Sequence, residues 1–285
     1  MTLKHGLGAL KSPPDPKELV AERLFRADTK PLPKKVDWRK VMPGPRNQGS
    51  RWTCSAFVGA AIMAWQKWRQ YQGLWSPEFL YARRSNFPAR GMFGRDMVAV
   101  LKNDGCVKED VWPYEPNQEP RNNAIPLDIM EQAKPYRIHS HAAVMTADGL
   151  KRAVATDGPC YISLPCYSFN LHFWKPETPN QDWLGGHAVT VVGYNTTGFI
   201  LQNSWGAQWG NHGYTVMPYD DFGLKWESYT CVSQATMQML RASIAVSALQ
   251  PKTKRLRDGL TIAGAVIVLA LVAIFIIDRL SRQEY

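Results

Sequence analysis

Residues 184–206 read Leu-Gly-Gly-His-Ala-Val-Thr-Val-Val-Gly-Tyr-Asn-Thr-Thr-Gly-Phe-Ile-Leu-Gln-Asn-Ser-Trp-Gly. Two β-branched and aromatic runs, His187–Tyr194 and Gly198–Trp205, are separated by turn-forming Asn, Thr and Gly, as strands should be. Further runs of the same texture lie on either side, at Cys160–Pro165 and Gly213–Met217. The chain from about Ile138 onward is therefore expected to be strand-rich. His187 stands at the mouth of the first strand signal, and Asn203 falls in the next strand-like segment, sixteen residues on.

The first half has a different texture. Phe57, Ala61, Ala64/Trp65 and Trp68 recur at helical spacing, which predicts a helix over 54–71 with Gly73 as its stop signal. Ser76-Pro77-Glu78 opens a second helix with proline at its first position, and a third apolar-periodic stretch runs Met97–Leu101 and ends at Gly105. Residues 1–35 are rich in Pro and Lys and read as an extended strap with one short helix at Lys17–Phe25. A helix-rich half followed by a strand-rich half predicts an α+β fold in two lobes.

Composition excludes several classes. The chain has 285 residues, is 45% hydrophobic and 20% charged, and carries a net charge of +10; that is ordinary globular usage, and disorder is not its main state. The basic charge is spread without a dense Lys/Arg block in the first 250 residues, and no specific nucleic-acid binding is expected. Cys54, Cys106, Cys160, Cys166 and Cys231 are odd in number and widely spaced. They form neither a CxxC pair nor a disulfide framework, although Cys160 and Cys166 are near enough in sequence to leave a bridge open. The histidines pair only as His139 and His141, which reads as solvated strand or loop, so neither metal nor cofactor is expected.

Near the C-terminus, Gly259–Ile277 is uncharged throughout. Nineteen residues at the helical rise reach about 28 Å, close to the thickness of a bilayer core. Lys252, Lys254, Arg255 and Arg257 precede this run, and only Arg279 and Arg282 follow it. The positive-inside rule then keeps the large N-terminal part in the cytosol. The expected organisation is a strap (1–35), a globular domain (36–245), a basic linker (246–258), a membrane-spanning helix (259–277) and a short tail (278–285).

Chemistry enters with Cys54. It opens the predicted helix 54–71, where unsatisfied N–H groups and the positive dipole end favour thiolate over thiol. His187 would take the thiol proton and later return it to a leaving amine. The side-chain oxygen of Asn203 would orient the imidazole. Gln48, six residues before Cys54, would donate an N–H to an oxyanion beside the Cys54 backbone N–H.

These residues lie in segments that resemble a known family. Val36-Asp-Trp-Arg39, Asn47-Gln-Gly-Ser50, Cys54-Ser-Ala-Phe57, Gly186-His-Ala-Val189 and Asn203-Ser-Trp-Gly206 through Gly213-Tyr214 look like the papain/cathepsin family of cysteine peptidases, in the same order and spacing. Gly94-Arg-Asp-Met97, Gly105-Cys-Val107 and Trp112-Pro-Tyr114 look more like its bacterial and viral branch. The resemblance implies a two-lobed papain-like fold and peptide hydrolysis through a thioester acyl-enzyme. It implies Cys54 as nucleophile, His187 as base and acid, Asn203 as orienter and Gln48 in the oxyanion hole. It also implies Trp205 as a shield over the His187–Asn203 bond, with Gly91 and Gly186 beside bound substrate. Protein or peptide substrates and, through residues 259–277, a lipid bilayer would be the partners.

The chain departs from the family pattern around Cys54. Arg51-Trp52-Thr53 replaces Cys-Gly-Ser, and Ser55 replaces a tryptophan. Three readings of Arg51 and Trp52 stay open: they narrow the cleft, bias it toward acidic substrates, or simply pack. Gly185-Gly186 suggests a roomier side-chain pocket, and residues 1–35 are expected to strap the domain rather than block it. Against the membrane-tethered peptidase stands a catalytically silent papain-like binding protein at a cellular or virion membrane. A third reading keeps the chemistry and changes the acceptor, as in acyl transfer.

Overall fold

The computed structural model describes residues 5–25, 31–116, 118, 124–233 and 236–238. One lobe is helical. Its centre is α2 (Cys54–Gln66), which starts at Cys54 as expected and is buried along almost its whole length up to Ala64. The helix ends five residues short of the predicted 71. The Lys67 N–H still reaches the Met63 carbonyl, but Trp68 reaches only Trp65, and Arg69 and Gln70 are solvated. Without burial of one face, apolar spacing alone does not sustain a helix.

The second helix, α3 (Pro77–Ala82), has Ser76 as its N-cap, whose hydroxyl accepts the Phe79 N–H. The third, α4 (Gly94–Asn103), buries Met97, Val98 and Leu101 against α2 and α3. Among its described residues the strap forms one turn of α-helix, α1 (Ala21–Leu24). Glu22 on α1 accepts the Met145 and Thr146 N–H groups. Two helices the pattern did not reveal, α5 (Leu127–Ala133) and α6 (Ala147–Asp157), flank the second lobe's entry; α6 is capped by Thr146, which accepts from Gly149.

The other lobe is a seven-stranded antiparallel sheet. Its path is β4 (Ser140–Ala143), β9 (Glu227–Val232), β5 (Cys160–Cys166), β6 (Gly185–Tyr194), β7 (Gly198–Gln202) and β8 (Tyr214–Pro218), with β2 (Val36–Asp37) pairing on β6. Strands β5 to β8 lie where the sequence puts them. Strands β4 and β9 were not anticipated. Asp37 and Arg39 form an ion pair, and the Trp38 indole donates to the Val154 carbonyl, so the 37–39 segment is a local polar and aromatic clamp. Cys54, Cys106, Cys160, Cys166 and Cys231 are all free and buried, which removes the Cys160–Cys166 bridge.

A second, two-stranded sheet pairs β1 (Ala9–Leu10) in parallel with β3 (Met92–Phe93), Ala9 against Met92 and Leu10 against Phe93. One of its strands comes from the strap, whose Gly8 and Ala9 backbone groups lie against the Cys54 thiol. No helix among the described residues is long and apolar enough to cross a membrane. The expected span at 259–277 lies outside the described residues.

Candidate active site

Sheet register brings two of the polar residues together. Strand β6 pairs Thr190 with Gln202 on β7, so Asn203, just past the end of β7, lies diagonally across from His187 on one face. Asn203 Oδ1 accepts the Ser204 backbone N–H at 2.7 Å, which identifies it as the amide oxygen. The same atom lies 2.7 Å from His187 Nε2. Nε2 must then carry the proton, and Nδ1 keeps its lone pair. Among the described residues nothing hydrogen-bonds to that Nδ1. An imidazole in this tautomer is a general base in waiting.

Trp205 lies flat on the imidazole at 4.3 Å between ring centres. Phe173 meets the same imidazole edge-on at 5.3 Å, and Trp209 closes against Trp205. These rings pack around the His187 imidazole beside its hydrogen bond to Asn203. Phe173 was missed because it sits in an irregular loop with no periodic signal.

Cys54 is fully buried at the first position of α2. Its thiol lies among the backbone groups of Ala188, Ser55, Gly8 and Ala9, so α2 delivers it to the residue following His187. Gln48 is also buried. Its Oε1 accepts the Ser204 hydroxyl at 2.6 Å, and its Nε2 donates to the Arg51 carbonyl at 2.7 Å and the Gly6 carbonyl at 3.1 Å. Gln48 thus holds a carbonyl oxygen in front of α2, and the carbonyl it holds belongs to the strap.

That contact corrects the expectation that residues 1–35 leave the cleft open. Residues 5–12 run through it. His5 stacks on Trp205 at 5.1 Å, the Gly6 N–H reaches the Gly49 carbonyl, and the Met92 N–H reaches the Gly8 carbonyl. Ser12 donates its N–H to Glu227 and accepts the Arg95 N–H. Glycine is needed twice: a Cβ on Gly6 would lie 1.9 Å from the Arg51 carbonyl oxygen, and one on Gly8 2.1 Å from that of Trp52. The sequence signal was present in His5-Gly-Leu-Gly8, two small residues alternating in an extended segment.

Burial sets the electrostatics. The His187 imidazole is pushed down to about 3, chiefly by loss of water and only partly offset by Asn203. The Cys54 thiol is pushed up for the same reason, against the pull of the surrounding backbone groups. With the strap in place both groups are neutral.

Gly91 has φ +83, and a Cβ there would press on the Gly8 carbonyl, so its lack of a side chain lets the strap approach. Gly186 also faces the strap, and with Gly185 it lines a wide groove, though the space directly over its own Cα is filled. A Cβ would lie 2.2 Å from both the Ala9 carbonyl oxygen and the Trp226 ring, so Trp226 takes the space that the glycine vacates. Trp226, Trp183 and the half-exposed Trp52 line a groove of about 830 Å³ beside the strap. Arg51 does not project into the cleft: it is buried in an ion pair with Glu78. Among the described residues no cluster of His, Cys, Asp and Glu could hold a metal ion.

The family model described as papain family cysteine protease matches residues 32–234. Mouse cathepsin K is 30% identical over 202 residues, which cover 65% of this chain and 60% of that protein; the chain thus spans under two thirds of this relative. An uncharacterized peptidase C1-like protein of Acanthamoeba polyphaga mimivirus is 24% identical over 260 residues, covering 76% of this chain and 83% of that one. Among solved structures, xylellain, a cysteine protease from Xylella fastidiosa, superposes with a TM-score of 0.68 at 23% identity, covering 82% of this chain and 98% of its own. Digestive procathepsin L 3 of Tenebrio molitor superposes with a TM-score of 0.60 at 21% identity, covering 80% and 75%.

Proposed function

Because the chain belongs to the papain family of cysteine proteases, we propose that it hydrolyses peptide bonds at Cys54 and is held latent by residues 5–12. The observation that carries the reading is the His187–Asn203 pair, fixed in the base tautomer and set beside the α2 start that bears Cys54. With the strap displaced, water reaches both groups and the Cys54 proton moves to His187 Nδ1. The thiolate attacks the substrate carbonyl carbon, and the carbonyl oxygen becomes an oxyanion facing the Gln48 amide and the Cys54 N–H. Collapse expels the amine, which takes its proton from His187, and leaves a thioester on Cys54. Water, deprotonated by His187, then releases the acid and restores the thiol.

The Gly6 carbonyl oxygen occupies the position that a substrate carbonyl would take at Gln48. Residues 5–12 therefore compete with substrate for the donors that catalysis needs. Residues 259–277 form a single membrane span in this account, with the basic residues 252–257 keeping the peptidase on the cytosolic side and raising its effective concentration for membrane-bound substrates.

Filling of the cleft also suits the alternative of a silent binding module, so the test must open it. The full chain in detergent carrying Gly6→Val and Gly8→Val cannot seat the strap. It should cleave unstructured peptides in a Cys54-dependent manner, with no cleavage by the same chain carrying Cys54→Ala. An opened cleft that cleaves nothing, with Cys54 intact, would favour the binding module.

A further inference from the structure

Gln48 is useful as an oxyanion donor only if its amide is held at one angle before substrate arrives. Its two Nε2 hydrogens are divided: one goes to the Arg51 carbonyl and the other points into the cleft, where the Gly6 carbonyl now takes it. The position of the Arg51 backbone therefore sets the direction of the hydrogen offered to substrate. Residues 48–53 have no helix or strand to hold them. The Arg51 side chain does so instead. Its guanidinium forks onto the Glu78 carboxylate of α3, with Nη1 to Oε2 and Nη2 to Oε1 at 3.1 Å, and Nη1 also donates to the Glu115 carbonyl at 3.0 Å. The same guanidinium lies over the Tyr114 ring at 4.7 Å. Tyr114 in turn donates its hydroxyl to the Gln48 carbonyl at 2.7 Å and meets the Thr53 hydroxyl at 2.9 Å.

Both ends of the loop are thus tied to one buried cation. A buried ion pair seldom adds net stability over apolar residues of the same size; what it supplies is a fixed bidentate geometry. We infer that Arg51 and Glu78 are positioning residues for the oxyanion hole, holding the Gln48 amide through the Arg51 carbonyl and Tyr114. The inference rests on the peptidase reading above and adds to it a pair with no contact to substrate.

The test uses the full chain opened by Gly6→Val and Gly8→Val, compared with the same chain carrying Arg51→Met and Glu78→Leu together, which leaves no buried charge unpaired. Three rates separate the roles. Alkylation of Cys54 by iodoacetamide, followed by peptide mapping, reads the thiolate and needs no oxyanion donor. Hydrolysis of a peptide amide and inhibition by a peptide aldehyde, which forms a tetrahedral adduct, both need that donor.

The expected result is kcat lower by at least about tenfold with KM little changed, since losing one such donor outright costs about 10²–10³. Aldehyde affinity should fall in parallel, and the alkylation rate should stay within about twofold. Unchanged kcat overturns the inference, and so does an alkylation rate that falls along with turnover, which marks general support of the fold. If the double variant does not fold, Glu78→Gln, which keeps an oxygen for the fork, is read by the same three rates. An opened parent that neither alkylates nor turns over overturns the peptidase reading itself, and this inference with it.

Discussion

At the residue scale the chemistry rests on where one proton sits. The Ser204 N–H fixes which end of the Asn203 amide faces His187, and this in turn fixes the imidazole tautomer. Replacing Asn203 with Ala should lower kcat by about 10²-fold or more, because a free imidazole spends most of its time misaligned as base and acid; steady-state kinetics of the opened chain reads this. The strap makes the same histidine pH-sensitive. With the cleft closed, His187 stays neutral down to about pH 3, whereas exposure returns it toward the ordinary value of about 6.5. With Cys54 in place the proton that charges His187 comes from the thiol, and opening takes none from solvent. In a chain carrying Cys54→Ala the open form binds a solvent proton that the closed form refuses, and each unit fall in pH below about 6.5 favours opening by up to about tenfold. Glu227 opposes this at the acid end: burial raises its carboxyl, more than the Ser12 and Gly94 donors lower it, so the closed form keeps that proton better. In the Cys54→Ala chain, hydrogen exchange at the Met92 amide, corrected for its intrinsic rate, should lose protection as pH drops from 7 to 5.5. Rising protection would contradict this account.

At the element scale, the parts legible in the sequence are those whose residues announce their own geometry. Cys54 as the start of α2, the Ser76-Pro77 opening of α3 and the strands around His187 and Asn203 all combine a local signal with a buried face. The parts that were not legible depend on distant partners. Helix α6 is stabilised at its start by Thr146, whose hydroxyl caps Gly149 while Glu22 of α1 holds its backbone N–H; neither contact shows in a hydrophobic period. Thr146→Ala should cost about 1 kcal/mol in chemical denaturation, as loss of an N-cap does. Strands β1 and β3 have two residues each and exist only because they pair with each other. The candidate site was legible in Gln48, Cys54, His187, Asn203 and Trp205, whose residue types suit the chemistry. Glu78 and Tyr114 were not, since they act through the loop that Arg51 anchors.

At the scale of the whole molecule, residues Met1–Met237 behave as one compact unit in which the N-terminal segment is part of the cleft. The strap ties to both lobes: Gly6 to the loop before α2, Ala9 and Leu10 to β3, and Ser12 to Glu227 on β9. Beyond the cleft, Glu18 pairs with Arg95 on α4. Displacing residues 5–12 removes β1 from β3 but leaves the seven-stranded sheet and α2 to α6 in place, so opening should leave the melting temperature of the remaining fold within a few degrees. The account stands or falls on whether a thiolate–imidazolium pair appears when the strap leaves and only then. The direct measurement is the rate of iodoacetamide alkylation at Cys54 near pH 6.5, in the full chain, in the chain opened by Gly6→Val and Gly8→Val, and in that opened chain with His187→Ala. The account predicts slow alkylation in the first and fast in the second. In the third the rate should fall by about 10²-fold, because an ordinary thiol is only about 1% thiolate at that pH. Equal rates in the closed and opened chains, or a rate in the opened chain indifferent to His187, would contradict it.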